Sequence, residues 1–177
     1  VTWGMVVADR TANARHVAYD LLSQAEHGED SQVILVTMDP KLPAAVAHEV
    51  RAALPGLPRR TIIEAALRHG SMIFAQDRAA ALDIIDQYAP EHLILQCADA
   101  RSWLDEIRHA GSVFLGPWTP ESVGDYCSGT NHVLPTYGFA RTYSGLSVSD
   151  FERRMTIQEL TPEGLRGLAD TVTTLAA

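Results

Sequence analysis

Three polar clusters in this chain of 177 residues carry residue types and spacings that could do chemistry. In Gln24-Ala25-Glu26-His27-Gly28, the i, i+3 spacing puts Gln24 and His27 on one face of a helix, so that two ligands for a metal or a substrate project together. A His just ahead of a Gly stop also suits the negative end of a helix dipole. Gln is moreover an uncommon zinc ligand, so spacing alone favours the capping role. In Ala89-Pro90-Glu91-His92-Leu93 a helix ends and a strand starts, which sets Glu91 and His92 at a sheet edge of the kind where ligands bind in open α/β folds. A His beside a carboxylate suits general-base work near neutral pH. Two residues are a short signal, and an exposed Glu next to a hydrogen-bonded His would explain them as well or better.

The third cluster, Gly124-Asp125-Tyr126-Cys127-Ser128-Gly129-Thr130-Asn131-His132, lies in a long stretch from Phe114 to Tyr143 that is rich in Gly, Pro, Ser and Thr. Loops held on a rigid scaffold are where chemistry concentrates, and here Asp125 could ligate a metal while His132 binds substrate. A compact loop whose Asp and Asn bond their own backbone is the plainer alternative, and the density of functional types outweighs it. Cys127 beside His132 raises a thiol nucleophile, but a lone Cys is more often a small packed residue. His16, His48, His69 and His109 fall on helices or helix ends and need no role, and Trp3, Trp103 and Trp118 read as packing residues.

The elements that must position these residues alternate. Short apolar runs at Trp3 to Ala8, Gln32 to Thr37, Ser71 to Ala75, His92 to Gln96 and Ser112 to Leu115 read as strands buried on both faces. Between them lie helical stripes: Val17, Leu21, Gln24 and Gly28; Val46, Val50 and Leu54; Ile62, Ile63, Ala66 and Leu67; Leu82, Ile85 and Tyr88; and a last one with Trp103 and Ile107. Repeated strand–helix–strand order predicts an α/β fold, a largely parallel sheet with helices on both faces. The expected division is an α/β domain over 1–145, carrying all three clusters, and a C-terminal extension over 146–177. That extension has a strand at Met155 to Leu160 and a helix capped by Thr161 with Pro162 in its first turn.

Composition narrows the ligand. Lys and Arg number 14 against 22 Asp and Glu, a net charge of −8, which argues against nucleic acid or an anionic membrane and for a small molecule. Cys97 and Cys127 are too few for a disulfide framework, which fits a cytoplasmic setting, and no apolar run reaches the ~20 residues of a membrane span. No Gly-x-Gly-x-x-Gly follows a strand, and no phosphate loop or His-Glu-x-x-His occurs. The chain opens at Val1 almost inside a strand, which reads as a piece of something larger.

Taken together, Leu-Leu-Ser-Gln-Ala-Glu-His-Gly at 21–28, Ala-Pro-Glu-His-Leu at 89–93, and the run from Gly116 to Gly138 closely resemble histidinol dehydrogenase. The likeness continues through Arg154-Met155-Thr156-Ile157-Gln158-Glu159-Leu160. The resemblance implies an incomplete Rossmann-like domain of a zinc-containing homodimer that oxidises L-histidinol to L-histidine with NAD through histidinaldehyde. By the same likeness Gln24, His27 and Asp125 match three zinc ligands, with the metal holding the substrate's imidazole and amine. His92 matches the base that takes the hydroxyl proton, Glu91 the group that activates water, and His132 a substrate-binding histidine. Cys127 stands where the family is expected to carry a small residue such as Ala, and no role is assigned to it. The resemblance places the nicotinamide-holding segment, a fourth zinc ligand and a substrate-binding Glu in parts of the family that this chain does not span. The expectation is that the chain alone has little or no dehydrogenase activity. The rival reading is a non-catalytic module that keeps the zinc and imidazole pocket.

Overall fold

The computed structural model describes residues 2–177. Its centre is a five-stranded, all-parallel sheet in the order β3-β2-β1-β4-β5, formed by β1 (Trp3–Ala8), β2 (Gln32–Thr37), β3 (Ser71–Phe74), β4 (His92–Gln96) and β5 (Ser112–Leu115). The chain winds outward from β1 through α1 (Ala14–Ala25), α2 (Leu42–Ala53) and α3 (Arg60–Ala66). It then returns through α4 (Arg78–Tyr88) to place β4 against the free side of β1.

Alternation along the strands divides the core between the two faces. Val6, Ala8, Val33, Leu35, Ile94 and Phe114 pack with Val17, Leu21, Val46, Ile63 and Ala66 on the side of α1, α2 and α3. Met5, Val7, Val36, Leu93 and Leu95 pack with Ala81, Leu82, Ile85 and Trp103 on the side of α4. The helices are anchored at their starts, since Asn13 accepts from the Arg15 N–H ahead of α1 and Asp77 accepts from the Ala80 N–H ahead of α4.

Three expectations need correction. β3 is not buried on both faces: Met72 and Phe74 are 46% and 57% exposed, because β3 is an edge strand paired only with β2 among the described residues. The stretch around Trp103 and Ile107 is a single 3₁₀ turn over Ala100–Trp103 rather than a helix. Arg78 explains the tightness of that turn, stacking 4.8 Å over the Trp103 ring and binding both the hydroxyl and the carbonyl of Ser102. Met155 to Leu160 forms no strand, having an alternating pattern but no ladder partner among the described residues.

The sheet belongs to one compact unit that ends at Leu146, and residues 147–177 form a second. Within that second unit a 3₁₀ turn over Val148–Phe151 carries a capping box between Ser147 and Asp150. α6 (Pro162–Ala176) begins with the Thr161 hydroxyl accepting from the Gly164 N–H. α6 is amphipathic, with Leu165, Leu168, Val172 and Leu175 along one stripe, all of them exposed.

Candidate metal and acid–base site

Parallel connectivity forces α1 to run back against β1, so its last turn lies at the amino-terminal ends of the strands. The same ends hold the start of β4. There Ala89, at φ 52°, stops α4 in the left-handed region, and Pro90 forces the chain into an extended course. The backbone of Glu91 is then locked on both sides: its N–H donates to the Trp3 carbonyl, and its own carbonyl accepts from the Ser112 N–H. Glu91 and His92 are therefore at a sheet edge as expected, but at the amino-terminal edge rather than the carboxyl-terminal one where open α/β sheets usually take ligands.

His92 lies on the same face of β4 as Ile94, the face covered by α1, and is in register with Gly4. A Cβ on Gly4 would fall 2.6 Å from Gln24 Cγ, so the glycine is what allows the Gln24 side chain to lie against the strand. After β5 the chain turns into α5 (Glu121–Tyr126), which packs closely because Gly124 sits against the Phe114 ring, where a Cβ would come within 2.5 Å of Cε1. Four residues apart on this short helix, Glu121 and Asp125 share one face.

His27, Glu121 and Asp125 offer ligand atoms that all lie within 4.8 Å of one another. His27 Nε2 is 3.6 Å from Asp125 Oδ2 and 4.0 Å from Glu121 Oε1. His92 Nε2 is 4.0 Å from both Glu121 Oε1 and Asp125 Oδ1, and His92 Nδ1 is 4.0 Å from Glu91 Oε1. Glu91 Oε2 accepts from the Trp3 N–H at 3.1 Å. Gln24 is buried with both amide atoms unpartnered among the described residues, as are both ring nitrogens of His92 and Glu121 Oε1. Such unpaired polar atoms cost free energy unless a ligand answers them, and their concentration in one place marks the site as built to hold something polar.

Burial sets the proton affinities. The His92 imidazole is pushed down to about 4, chiefly by desolvation, so it stands neutral at pH 7. Burial raises the Glu91 carboxyl, opposed by the Trp3 N–H. Glu121 is driven up to about 7 by burial and by the adjacent Asp125 carboxylate.

All six expected site residues can thus be located. Gln24, His27, Glu91, His92 and Asp125 converge on the amino-terminal ends of β1 and β4. His132 is exposed on the loop after α5, close enough that its charge lowers the His92 proton affinity further. The arrangement also contains a residue that the sequence reading did not single out, Glu121, whose signal was its i, i+4 spacing from Asp125 just after Pro120. Cys127 is exposed and unbridged.

The chain is similar to known proteins over nearly its whole length. The family described as histidinol dehydrogenase matches residues 4–177. The chain is 56% identical to the histidinol dehydrogenase of Pectobacterium atrosepticum over 172 residues, which is 97% of this chain and 39% of that protein. It is 54% identical to that of Vibrio cholerae, covering 97% of this chain and 40% of the relative. The crystal structure of histidinol dehydrogenase from Elizabethkingia anophelis superposes with a TM-score of 0.96 at 44% identity, over 99% of this chain and 40% of that one. The chain therefore spans about two fifths of the length of these relatives.

Proposed function

The chain belongs to the histidinol dehydrogenase family, and from that premise we propose that Glu91 and His92 do the acid–base work of an NAD-dependent, two-step oxidation of L-histidinol to L-histidine through histidinaldehyde. The observation that carries the proposal is the neutral, unpartnered His92 imidazole, buried between Glu91 and the His27, Glu121 and Asp125 cluster. Hydride leaves a carbinol carbon readily only as the attached oxygen gives up its proton, and a neutral imidazole held in a dry site can take it. Water must then add to the aldehyde before a second hydride can leave. Glu91, its Oε2 steadied by the Trp3 N–H, is placed to accept a proton from that water through Oε1. His132, exposed on the loop after α5, would bind the substrate from the solvent side.

Gln24, His27 and Asp125 would hold zinc, and the orphaned Gln24 amide fits that role because nothing else answers it. When bound, the metal supplies Lewis acidity that fixes the substrate's imidazole and amine, which is positioning rather than bond breaking. No residue of this chain is assigned to the nicotinamide. In the proposed reading NAD is held by the part of the family that this chain does not span, and the chain alone turns over slowly or not at all. The same reading makes the whole protein a cytoplasmic homodimer that takes a small molecule rather than nucleic acid or a membrane. The net charge of −8 speaks for a small molecule over nucleic acid, and among the described residues no helix is long and apolar enough to cross a membrane.

NADH formation from L-histidinol, with zinc present, tests the reading in the whole protein and in this chain side by side. Turnover by the whole protein and little by the chain is expected. L-histidinol binding by the whole protein without NAD reduction would replace the enzyme with a binding module that keeps the pocket. Full turnover by the chain would refute the assignment of NAD to a segment outside it.

A further inference from the structure

His132 is exposed, so packing does not set the direction of its imidazole and the backbone that carries it must. One side chain holds that backbone. Asn131 Oδ1 accepts from the Val133 N–H at 2.7 Å, and Asn131 Nδ2 donates to the Leu146 carbonyl at 2.6 Å. An N–H can only donate and a carbonyl can only accept, so the two partners fix which way round the amide lies. The Leu146 N–H in turn donates to the Val133 carbonyl at 3.0 Å. Leu146 is thereby bonded to the residue before His132 and to the residue after it. Gly145 permits the approach, since a Cβ there would fall 3.2 Å from the Val133 carbonyl oxygen and 2.8 Å from Leu134 Cδ2. The result is a compact loop closed at its neck, with His132 in the neck. The far side of the loop rests on the elements that lead to the acid–base pair. Arg141 donates to the Gln87 carbonyl, and through Nη1 to the Gly138 carbonyl at 3.4 Å, which sets a cation at the carboxyl end of α4. The Tyr137 ring lies 5.6 Å from that of Trp3, whose N–H holds Glu91 Oε2.

We propose that Asn131 is the positioning residue for His132: by tying Val133 and Leu146 together across the neck of the loop, it holds the imidazole where it meets the substrate. The proposal rests on the reading of His132 as a substrate-binding group and adds a residue to which that reading gives no task. The amide oxygen and an amide hydrogen of Asn131 are engaged with backbone groups, so Asn131 acts on the substrate through His132 rather than by contact. Residue type matters here, because the role needs an acceptor and a donor on one short planar group. An Asp would keep the acceptor for the Val133 N–H but would face the Leu146 carbonyl with a second acceptor. With the far side of the loop docked at the end of α4, the neck is the part whose place remains to be fixed, and the orientation of a binding group within it decides how well the substrate is held.

The test is the dissociation constant of L-histidinol for the zinc-loaded whole protein, measured by titration calorimetry without NAD, together with KM and kcat for NADH formation. The proteins compared are the parent, His132→Ala, Asn131→Ala, Asn131→Asp and the Asn131→Ala/His132→Ala pair. Asn131→Ala should weaken L-histidinol binding about tenfold and raise its KM more than it lowers kcat, with the KM for NAD and the zinc content unchanged. Because Asn131 acts through His132, adding Asn131→Ala to His132→Ala should weaken binding no further. Melting curves check that each variant folds; should Asn131→Ala not fold, Asn131→Asp, alone and with His132→Ala, carries the same comparison. Parent-like binding of L-histidinol by Asn131→Ala would overturn the proposal, as would an effect that persists in the His132→Ala background. Lost zinc with a raised KM for NAD would overturn it too, since that is the mark of general loosening. If the parent binds no L-histidinol, or His132→Ala binds it as well as the parent, the reading of His132 fails and the positioning role falls with it. If His132→Ala weakens binding and Asn131→Ala does not, only the role of Asn131 fails.

Discussion

Asp20 offers a perturbation whose size follows from the structure. It lies on α1, 5% exposed, and accepts from Gln96 Nε2 at 2.9 Å, while Gln96 Oε1 is buried and unpartnered among the described residues. Desolvation lifts its carboxyl from 3.8 to about 6, opposed by the Gln96 bond and by the nearby His16. With the folded value above the unfolded one, the stability that Asp20 contributes is fully present below pH 3.8 and is lost as the pH rises through 6. A shift of about two units corresponds to roughly 3 kcal/mol at about 1.36 kcal/mol per unit. Asp20→Asn removes the titration and keeps the shape. Its amide oxygen can still accept from Gln96 Nε2. Denaturant unfolding from pH 4 to pH 8 should therefore show the variant close to the parent at pH 4 and more stable by roughly 3 kcal/mol at pH 7.5. For a chain of this length that is a rise in Tm of about 6–12 °C. Taking the difference between variant and parent cancels the titration of His92 and Glu121. Stability curves that run parallel across the range would refute the argument, because they would mean that the ionised carboxylate is solvated in the folded state.

The other expectations are simpler. Gly4→Ala would force a Cβ to within 2.8 Å of Gln24 Oε1, so it should cost about 1–3 kcal/mol and lower zinc affinity with it; a normal melting temperature would show that the contact is not tight. Ala89→Gly relieves a non-glycine residue at φ 52° and should stabilise the fold by about 1 kcal/mol in denaturant titration, unless the left-handed turn before Pro90 is not held in solution. In the whole protein His92→Gln should lower NADH formation about 10²- to 10⁴-fold while leaving zinc content intact, and a smaller effect would remove His92 as the base. Glu91→Gln should spare the first oxidation and slow the second, so that a carbonyl trap such as semicarbazide collects aldehyde; an equal loss in both steps would contradict the division of labour.

Much of the fold is legible in the residues themselves. The apolar runs of β1, β2, β4 and β5 and the stripes of α1 to α4 are local patterns whose periods differ, and they lie where the sequence puts them. Local pattern failed where a distant contact or its lack decided the outcome: the turn around Trp103 is tied down by Arg78, and Met155 to Leu160 alternates like a strand with no neighbour to pair with. The site divides in the same way. The chemical types in Gln24-Ala25-Glu26-His27, Glu91-His92 and Gly124-Asp125 were readable because each motif is contiguous. That they meet at the amino-terminal ends of the strands was not, since this depends on β4 returning to pair with β1 and on α1 running back antiparallel to it. Sequence determined which groups were available and which elements would carry them. Tertiary structure alone recruited Glu121, because its neighbours Ser23, His27 and His92 come from two other elements, and only packing over a common sheet can bury a carboxylate between them with one oxygen left unpaired.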